Sequence, residues 1–476
     1  MGYKDLREFL ERVDSFGELR RVEGADWDLE IGAITEVAAS SPGCPLLLFD
    51  KVRGYRPGYR IVTNLLHTER RLALALGESP DLRGVGLIKK WKEGPAKVTE
   101  GPPPVEVNHG PLRENILSGK NVNVMEFPAV KWHELDGGRY FAGPVTIARD
   151  PDEGWVNLGI FRLQVHDKST LSLYIGPGSK HTKQILQKYW DRGESCPVAI
   201  SMGHTPALFI AAALFSPWGL SEYELAGQLN GMPIKVVPGE LTGLPVPASA
   251  EVVLEGEVPS LEVESHAEGP FGEATGYYVS GLSTKEPVIK VKSIMHRNNP
   301  IIQGAPPMRP LPGLWHFPVN HRCATVWSDL EKCGIPDIQG VWQEGYGLMV
   351  ISLKQRYAGH AKQAGQIAAG SRGSTLVRFI VTVDQDIDPC NVTEVMWAMA
   401  TRCDPERDIE IIKEVASSSI DPLLSPEQRE RADIITGKVI INACTPIYRN
   451  RAFPPVVAVS AELKAEIIKK WWNVIK

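Results

Sequence analysis

Leu6, Phe9, Leu10, Val13 and Phe16 recur at three- and four-residue spacing among charged neighbours, so residues 4–20 open the chain as an amphipathic helix. Two further helical patterns, 28–39 and 69–77, alternate with the apolar runs PLLLF (45–49) and RIVTNLL (60–66), which read as strands of a small α/β unit. The Pro-rich stretch EGPPPVEVNHGP (100–111) marks its end. From about 140 to 297 the pattern turns to strands: PVTIARD, WVNLGIFRLQVHD, LSLYIG, CPVAISMG, PIKVVPG, AEVVLEGEV and VIKVKSIMHR. Only HTKQILQKYW (181–190) and SEYELAGQL (221–229) interrupt them as helices, which predicts a β-barrel-like domain.

After a second Pro-rich stretch, APPMRPLPGLWHFP (305–318), apolar strands (LMVISLKQ, LVRFIVTVD) alternate with helices (HAKQAGQIAAG, NVTEVMWAMATRC), the signature of an α/β domain. The final SAELKAEIIKKWWNVIK is a helix capped by Ser460, with Leu463, Ile467, Ile468, Trp471 and Ile475 on one face. Such a face is expected to dock on the chain's own core or on another subunit. The fold class expected is a multidomain α+β / α/β protein, divided at 1–112, 113–304, a linker 305–318, 319–458 and a terminal helix 459–476.

Length agrees with that division, because 476 residues exceed one ordinary core. The net charge of −5 is small and no basic stripe is present, which argues against a nucleic-acid partner. Seven cysteines (44, 196, 323, 333, 390, 403, 444) are scattered without a CxxC pair, so neither a zinc site nor a disulfide framework is expected, and a reducing cytoplasm is the simplest compartment. No apolar run is long enough to span a bilayer, and the charged first helix is no signal sequence. Leu6 stands where a myristoylation signal needs Ser or Thr.

Candidate chemistry starts with HAEGPFGEATGYY (266–278), where Glu268 and Glu273 flank a turn stiffened by Gly269, Pro270 and Gly272. Two carboxylates brought to one poorly solvated pocket cannot both ionise cheaply, so one becomes a proton donor, with an arginine holding the other charged. A solvated surface turn is the plain alternative. In WVNLGIFRLQV (155–165) strand alternation puts Trp155, Asn157, Gly159 and Phe161 on one face and Arg162 on the other, unless a bulge or twist intervenes. Arg162 needs an acidic partner, catalytic or merely edge-facing. IGPGSKHTKQI (175–185) leads a Gly-Pro-Gly turn into a helix at His181, where free N–H groups suit a phosphate and His181 is either a metal ligand or a cap. In GLSEYELAG (219–227) Glu222 follows a Ser cap and is either a dipole partner or a ligand; with Asn and His oxygens and nitrogen it would suit Mn²⁺ or Mg²⁺. The acidic run VDQDID (383–388) reads as a strand end leading into a helix rather than as a metal site.

The order WxNxxxxR, GPxxKH, SExxxAG and EGPFGE resembles the UbiD family of prenylated-FMN-dependent decarboxylases, as do KQAGQIAAGS (362–371), VDQDID and EVMWAMATRCDPERD (394–408). The resemblance runs along nearly the whole chain, including the opening DLREFLERVDSFGELRRV. It implies a central split β-barrel of flavin-reductase type that binds prenylated FMN. By the same resemblance Asn157, His181 and Glu222 hold Mn²⁺ (or Mg²⁺) against the cofactor phosphate, with K⁺ beside them on Glu222 and on carbonyls near Trp155 and in the 211–216 region. Leu158, Gly159, Ile160, Phe161, Arg162, Lys180 and Arg378 then join the cofactor site, and Arg162, Glu268 and Glu273 form the catalytic set. Glu273 is assigned as proton donor and Glu268 as the partner of Arg162. The family relies on a separate prenyl-FMN synthase, and a homodimer or homohexamer is expected.

The implied substrate is an aromatic or heteroaromatic carboxylic acid first and an acrylic-type acid second, with CO₂ as product or, in reverse, co-substrate. His296, Arg297, Met308, Arg309, Leu314 and Trp315 are candidates for its pocket. Two other classes stay open at this point: an FMN oxidoreductase, and a non-catalytic subunit of a carboxylase complex.

Overall fold

The computed structural model describes residues 2–94, 101–176, 181–214, 216–279, 281, 283–309, 316–447 and 453–475, with backbone only at 284, 316–319 and 461. Lys180, Leu314 and Trp315 therefore lie outside the described residues, as does part of the Gly-Pro-Gly turn.

The first amphipathic pattern folds as the helix Leu6–Ser15, capped by the Asp5 side chain on Glu8 N–H, and buries Leu6, Phe9, Leu10 and Val13. It is followed by the strands Leu19–Glu23, Leu46–Asp50 and Arg60–Thr63 and the helices Glu30–Ser40, Glu69–Ala75 and Gly84–Glu93. The three strands form a sheet in that order, and its fourth strand is Ile301–Gln303, paired in parallel with Arg60–Thr63. The chain thus returns to the N-terminal sheet after completing the central one. That return is a difference from the expected boundary at 304, since a three-residue apolar run carries no mark of which sheet it joins.

The central sheet has ten strands, in the order Tyr140–Phe141, Leu163–Val165, Thr170–Leu173, Ser283–His296, Val252–Val258, Cys196–Met202, Val145–Arg149 and Val156–Ile160. Ser265–Glu268 and Asn115–Ser118 also pair with the long strand Ser283–His296. The sheet is open, as a split barrel is. Sequence reading takes 155–165 as one strand, whereas the structure breaks it at Phe161–Arg162. The two halves lie near opposite ends of the strand order, so these two residues cross the gap where the sheet fails to close.

The C-terminal sheet runs Ile338–Glu344, Leu348–Leu353, Phe379–Asp384, Ile435–Ala443 and Ile409–Ala416, parallel among its three middle strands. Its strands are apolar on both faces: Val350, Val381, Val383 and Ile441 meet Val395 and Ala398 of the helix Val392–Arg402. Met349, Ile351, Ile380 and Ile440 join the core that includes Ala361, Ala364 and Ala368 of the helix His360–Gly370. Two acids of VDQDID bind Arg402, whose Nη atoms reach Asp384 at 3.2 Å and Asp386 at 2.9 and 2.6 Å. The last helix, Ala461–Ile475, starts at Ser460, whose Oγ accepts from Leu463 N–H. It leaves Leu463, Ile467, Ile468, Trp471 and Ile475 between 40% and 61% exposed, so it does not dock on its own core.

Glu251 staples the first helix to the central sheet. Fully buried, it accepts from Arg7 at 2.8 and 2.7 Å, from Arg297 at 3.2 Å and from Ile301 N–H at 3.2 Å. Arg297 also reaches Asp5 at 2.9 Å. Glu251→Ala leaves that guanidinium without its fully buried partner, and a loss of about 3 kcal/mol is expected from the urea midpoint.

Candidate active site

The strand Val156–Ile160 carries the first group of site residues. Its alternation points Asn157 and Gly159, and Phe161 beyond them, toward the start of the helix His181–Asp191. Asn157 Nδ2 donates to Thr182 Oγ1 at 2.8 Å, and a Cβ on Gly159 would stand 2.6 Å from the Phe161 ring and 3.3 Å from Thr182 Oγ1. The helix Glu222–Asn230, capped by Ser221, begins against the same strand: Glu222 Oε2 accepts from Leu158 N–H at 2.7 Å. His181 stands edge-on to Trp155 at 5.6 Å and to Trp218 at 5.2 Å. Trp155 and Asn157, with His181 and Glu222 from two later helices, are therefore one cluster.

The electrostatics of the cluster call for a cation. Glu222 is 2% exposed, and burial pushes its carboxyl up to about 7 against the lowering effect of the Leu158 N–H. Among the described residues no lysine or arginine pairs with it. Burial, then the charge of Arg372, hold the His181 imidazole below its ordinary value and hence neutral, the form that ligates metals. Asn157 gives its Nδ2 to Thr182, which leaves Oδ1 as an acceptor. Two oxygens and one nitrogen, with a buried carboxylate lacking a counter-charge, fit a moderately hard divalent ion. The described residues contain no group of three His, Cys, Asp or Glu side chains suited to a metal, so the set depends on the amide oxygen of Asn157.

Arg162 lies across the corner that ends this strand. It is 8% exposed, its Nε and Nη2 donate to Glu268 Oε1 and Oε2 at 2.8 Å each, and its Nη1 donates to Glu273 Oε1 at 2.9 Å. The guanidinium also sits 3.7 Å above the Tyr174 ring and 5.2 Å from that of Phe271. Burial works against its charge, but the hydrogen bonds and charge of Glu268 and the charge of Glu273 outweigh it and raise its pKa. The expected pairing with Glu268 is thus accompanied by a bond to Glu273. The corner at Phe161–Arg162 is what turns Arg162 from the opposite face toward both acids.

The loop bearing the acids is fixed from both sides. Gly269 N–H donates to Gln164 Oε1 at 3.0 Å, and Gly137 N–H donates to the Pro270 carbonyl at 2.8 Å. Gly137 lies so close that a Cβ there would stand 1.9 Å from the Gly269 oxygen. Phe271 packs on Tyr140 at 4.2 Å between ring centres. Beyond it, Gly276 N–H donates to the Glu273 carbonyl at 2.8 Å with Gly276 at φ +83°, a turn that favours glycine. Tyr278 then donates to Asp136 at 2.9 Å.

Other predicted residues lie elsewhere. Arg378 donates from Nη2 to both oxygens of Asp421 at 2.9 and 2.8 Å and from Nη1 to Thr436 at 2.7 Å; the C-terminal arginine whose charge reaches His181 is Arg372. His296 is buried against Tyr59 and Phe127, Arg297 belongs to the Glu251 staple, and Met308 packs with Ala39 and Cys44. Arg309 is exposed. Sequence reading also passed over Thr182, Gln164, Tyr174 and Asp136. Only the Thr next to His181 carried a usable signal, a hydroxyl at the start of a helix.

Comparison with known proteins agrees with this architecture. The N-terminal, Rift-related and C-terminal domain profiles of 3-octaprenyl-4-hydroxybenzoate carboxy-lyase (UbiD) match residues 10–91, 104–310 and 321–443. A phenolic acid decarboxylase of Bacillus subtilis is 33% identical over 461 residues, covering 94% of this chain and 93% of its own. Vanillic acid decarboxylase of Sedimentibacter hydroxybenzoicus, in its open form, superposes over 100% of both chains with a TM-score of 0.85 at 28% identity. The UbiD-class enzyme HmfF of Pelotomaculum thermopropionicum, in complex with FMN, covers 96% of this chain and 98% of its own with a TM-score of 0.84 at 28% identity. An evolved dimeric form of HmfF, in complex with prFMN, has a TM-score of 0.80 at 28% identity and covers 97% of this chain and 99% of its own. The chain belongs to the UbiD family of carboxy-lyases.

Proposed function

We propose that the protein catalyses reversible, non-oxidative decarboxylation of an aromatic, heteroaromatic or α,β-unsaturated carboxylic acid with prenylated FMN as cofactor. The observation that carries this reading is the buried Arg162 shared by Glu268 and Glu273, at the end of the strand that bears Asn157. The cofactor class rests on HmfF, which binds FMN and prFMN in its solved forms. The aromatic substrate class rests on the phenolic and vanillic acid decarboxylases.

Asn157, His181 and Glu222 would hold Mn²⁺ or Mg²⁺ against the cofactor phosphate. K⁺ would sit beside them at Glu222 and at carbonyls near Trp155, and the backbone from Leu158 to Phe161 would line the ring system. Bound there, the cofactor supplies an electron sink for the pair left when CO₂ departs. The chain's own residues do the rest. Glu268, engaged through both oxygens, keeps Arg162 charged and in place. The substrate carboxylate takes the Nη1 donor that Glu273 now occupies, which orients the bond to be broken. Displaced from Arg162, Glu273 takes up a proton from solvent and, once CO₂ has left, delivers it to the same carbon; with excess CO₂ the sequence runs in reverse. A separate prenyl-FMN synthase would supply the cofactor. The seven cysteines are all free thiols, which suits a reducing cytoplasm.

Protein produced together with a prenyl-FMN synthase should carry the modified flavin by mass spectrometry and release CO₂ from a panel of aromatic acids. Unmodified FMN with NAD(P)H oxidation would overturn the reading. In the same assay Glu273→Gln should lower turnover at least about 100-fold with cofactor retained. Glu222→Gln or His181→Ala should reduce bound manganese per chain to below about a tenth of wild type by elemental analysis, and flavin absorbance should fall with it. The bare apolar face of Ala461–Ile475 is assigned to a second copy in a homodimer or homohexamer. Truncation before Ser460 should therefore lower the oligomeric mass measured by light scattering.

A further inference from the structure

The turn that carries Glu273 is gripped from the C-terminal domain. Thr275, at the tip of that turn, donates its hydroxyl to the Ile420 carbonyl at 3.1 Å, 145 residues away in sequence. Ile420 belongs to the loop between the strand Ile409–Ala416 and the helix Pro426–Glu430. A loop could be a soft support, but this one is knotted around Asp421, which is 2% exposed. The Asp421 carboxylate accepts from Arg378 at 2.9 and 2.8 Å, from Ser417 Oγ at 2.8 Å and from Leu423 N–H at 3.0 Å. Arg429 closes the knot with bonds to the Ser419 carbonyl at 3.2 Å and to the Asp421 carbonyl at 2.7 Å. The Ile420 carbonyl is thereby a fixed acceptor, anchored through Arg378 to Thr436 of the C-terminal sheet.

On the central side, Gln164, Gly137 and Phe271 hold the loop before Glu273, and Asp136 holds it after, at Tyr278. The short turn between them bends at Gly276, whose φ of +83° favours glycine. Thr275 supplies a side-chain bond from this turn across to the C-terminal domain.

We infer that Thr275 is a positioning residue: through the Ile420 carbonyl it sets the reach of Glu273, so the proton donor is correctly placed only when the 417–424 loop is seated on the turn. This rests on the reading of Glu273 as proton donor. Substrate orientation by Arg162 and Glu268 does not pass through this bond, so its loss acts on the proton-transfer step more than on binding.

The test uses the full-length chain as wild type, Thr275→Val and Thr275→Ser. Amide hydrogen exchange needs neither cofactor nor substrate. Valine keeps the shape but removes the donor, and it should speed exchange in both 269–279 and 417–424, while serine should restore wild-type exchange. In protein loaded by a prenyl-FMN synthase and assayed on 4-hydroxybenzoate, vanillate and pyrrole-2-carboxylate, valine should lower kcat about tenfold, with KM changed less than about twofold. Serine should recover most of kcat. Arg378→Met, which loosens the loop from its far side, should lower kcat too and combine with Thr275→Val less than additively. Exchange unchanged in either segment, or changed exchange with kcat intact, would overturn the inference. A wild type that turns over none of the three acids counts against the substrate assignment, and the exchange result still decides whether the two segments are tied.

Discussion

A guanidinium cannot shed its proton at any physiological pH, and Arg162 is 8% exposed, so the surrounding structure has to supply it with negative charge. Glu268 and Glu273 supply it, and much of the central domain serves to hold them there. Glu268 ends a strand paired to the long Ser283–His296 strand, and Glu273 follows on a turn pinned by Gln164, Gly137 and Phe271. The rings of Tyr174 and Phe271 lie 3.7 and 5.2 Å from the guanidinium, while its N–H groups go to the acids. Removing Arg162 would strand two acids in one poorly solvated pocket, and removing Glu268 would take away the two-oxygen partner of the guanidinium.

The same corner explains why the two halves of the site are neighbours. Val156–Ile160 and Leu163–Val165 are consecutive in the chain yet lie near opposite ends of the strand order of the open sheet. Phe161 and Arg162 cross that opening. On one side of the corner, the helices starting at His181 and Glu222 converge on Asn157 and Leu158 to make a cation-seeking cluster. On the other side lie the acids and the C-terminal loop that contacts their turn. A closed barrel would have paired these strand ends with each other and left no opening for the site.

Much was legible in advance because it depends on local rules. Hydrophobic spacing located the first and last helices, and unbroken apolar runs marked the strands of a sheet covered on both faces. Cap chemistry marked the helix starts at Glu222 and Ala461. The motif order around Asn157, Arg162, His181, Glu222, Glu268 and Glu273 named residues that the structure gathers into two adjoining clusters. Pocket candidates chosen by residue type fared differently. His296 and Arg297 looked like ligands for a polar substrate group, and each is occupied by partners distant in sequence: Tyr59 and Phe127 in one case, Asp5 and Glu251 in the other.

The sequence alone therefore determined the elements, the family resemblance and the candidate side chains for the site, since periodicity, capping and motif spacing act over a few residues. Only the tertiary structure decided which charges meet. The pairing of Arg162 with Glu268, the return of Ile301–Gln303 to the N-terminal sheet, the pairing of Arg378 with Asp421 and the bond from Thr275 to Ile420 all join positions tens to hundreds of residues apart. A buried charge or donor takes whichever partner the packing brings within hydrogen-bond reach, and that choice is made by the folded sheet order rather than by neighbours along the chain.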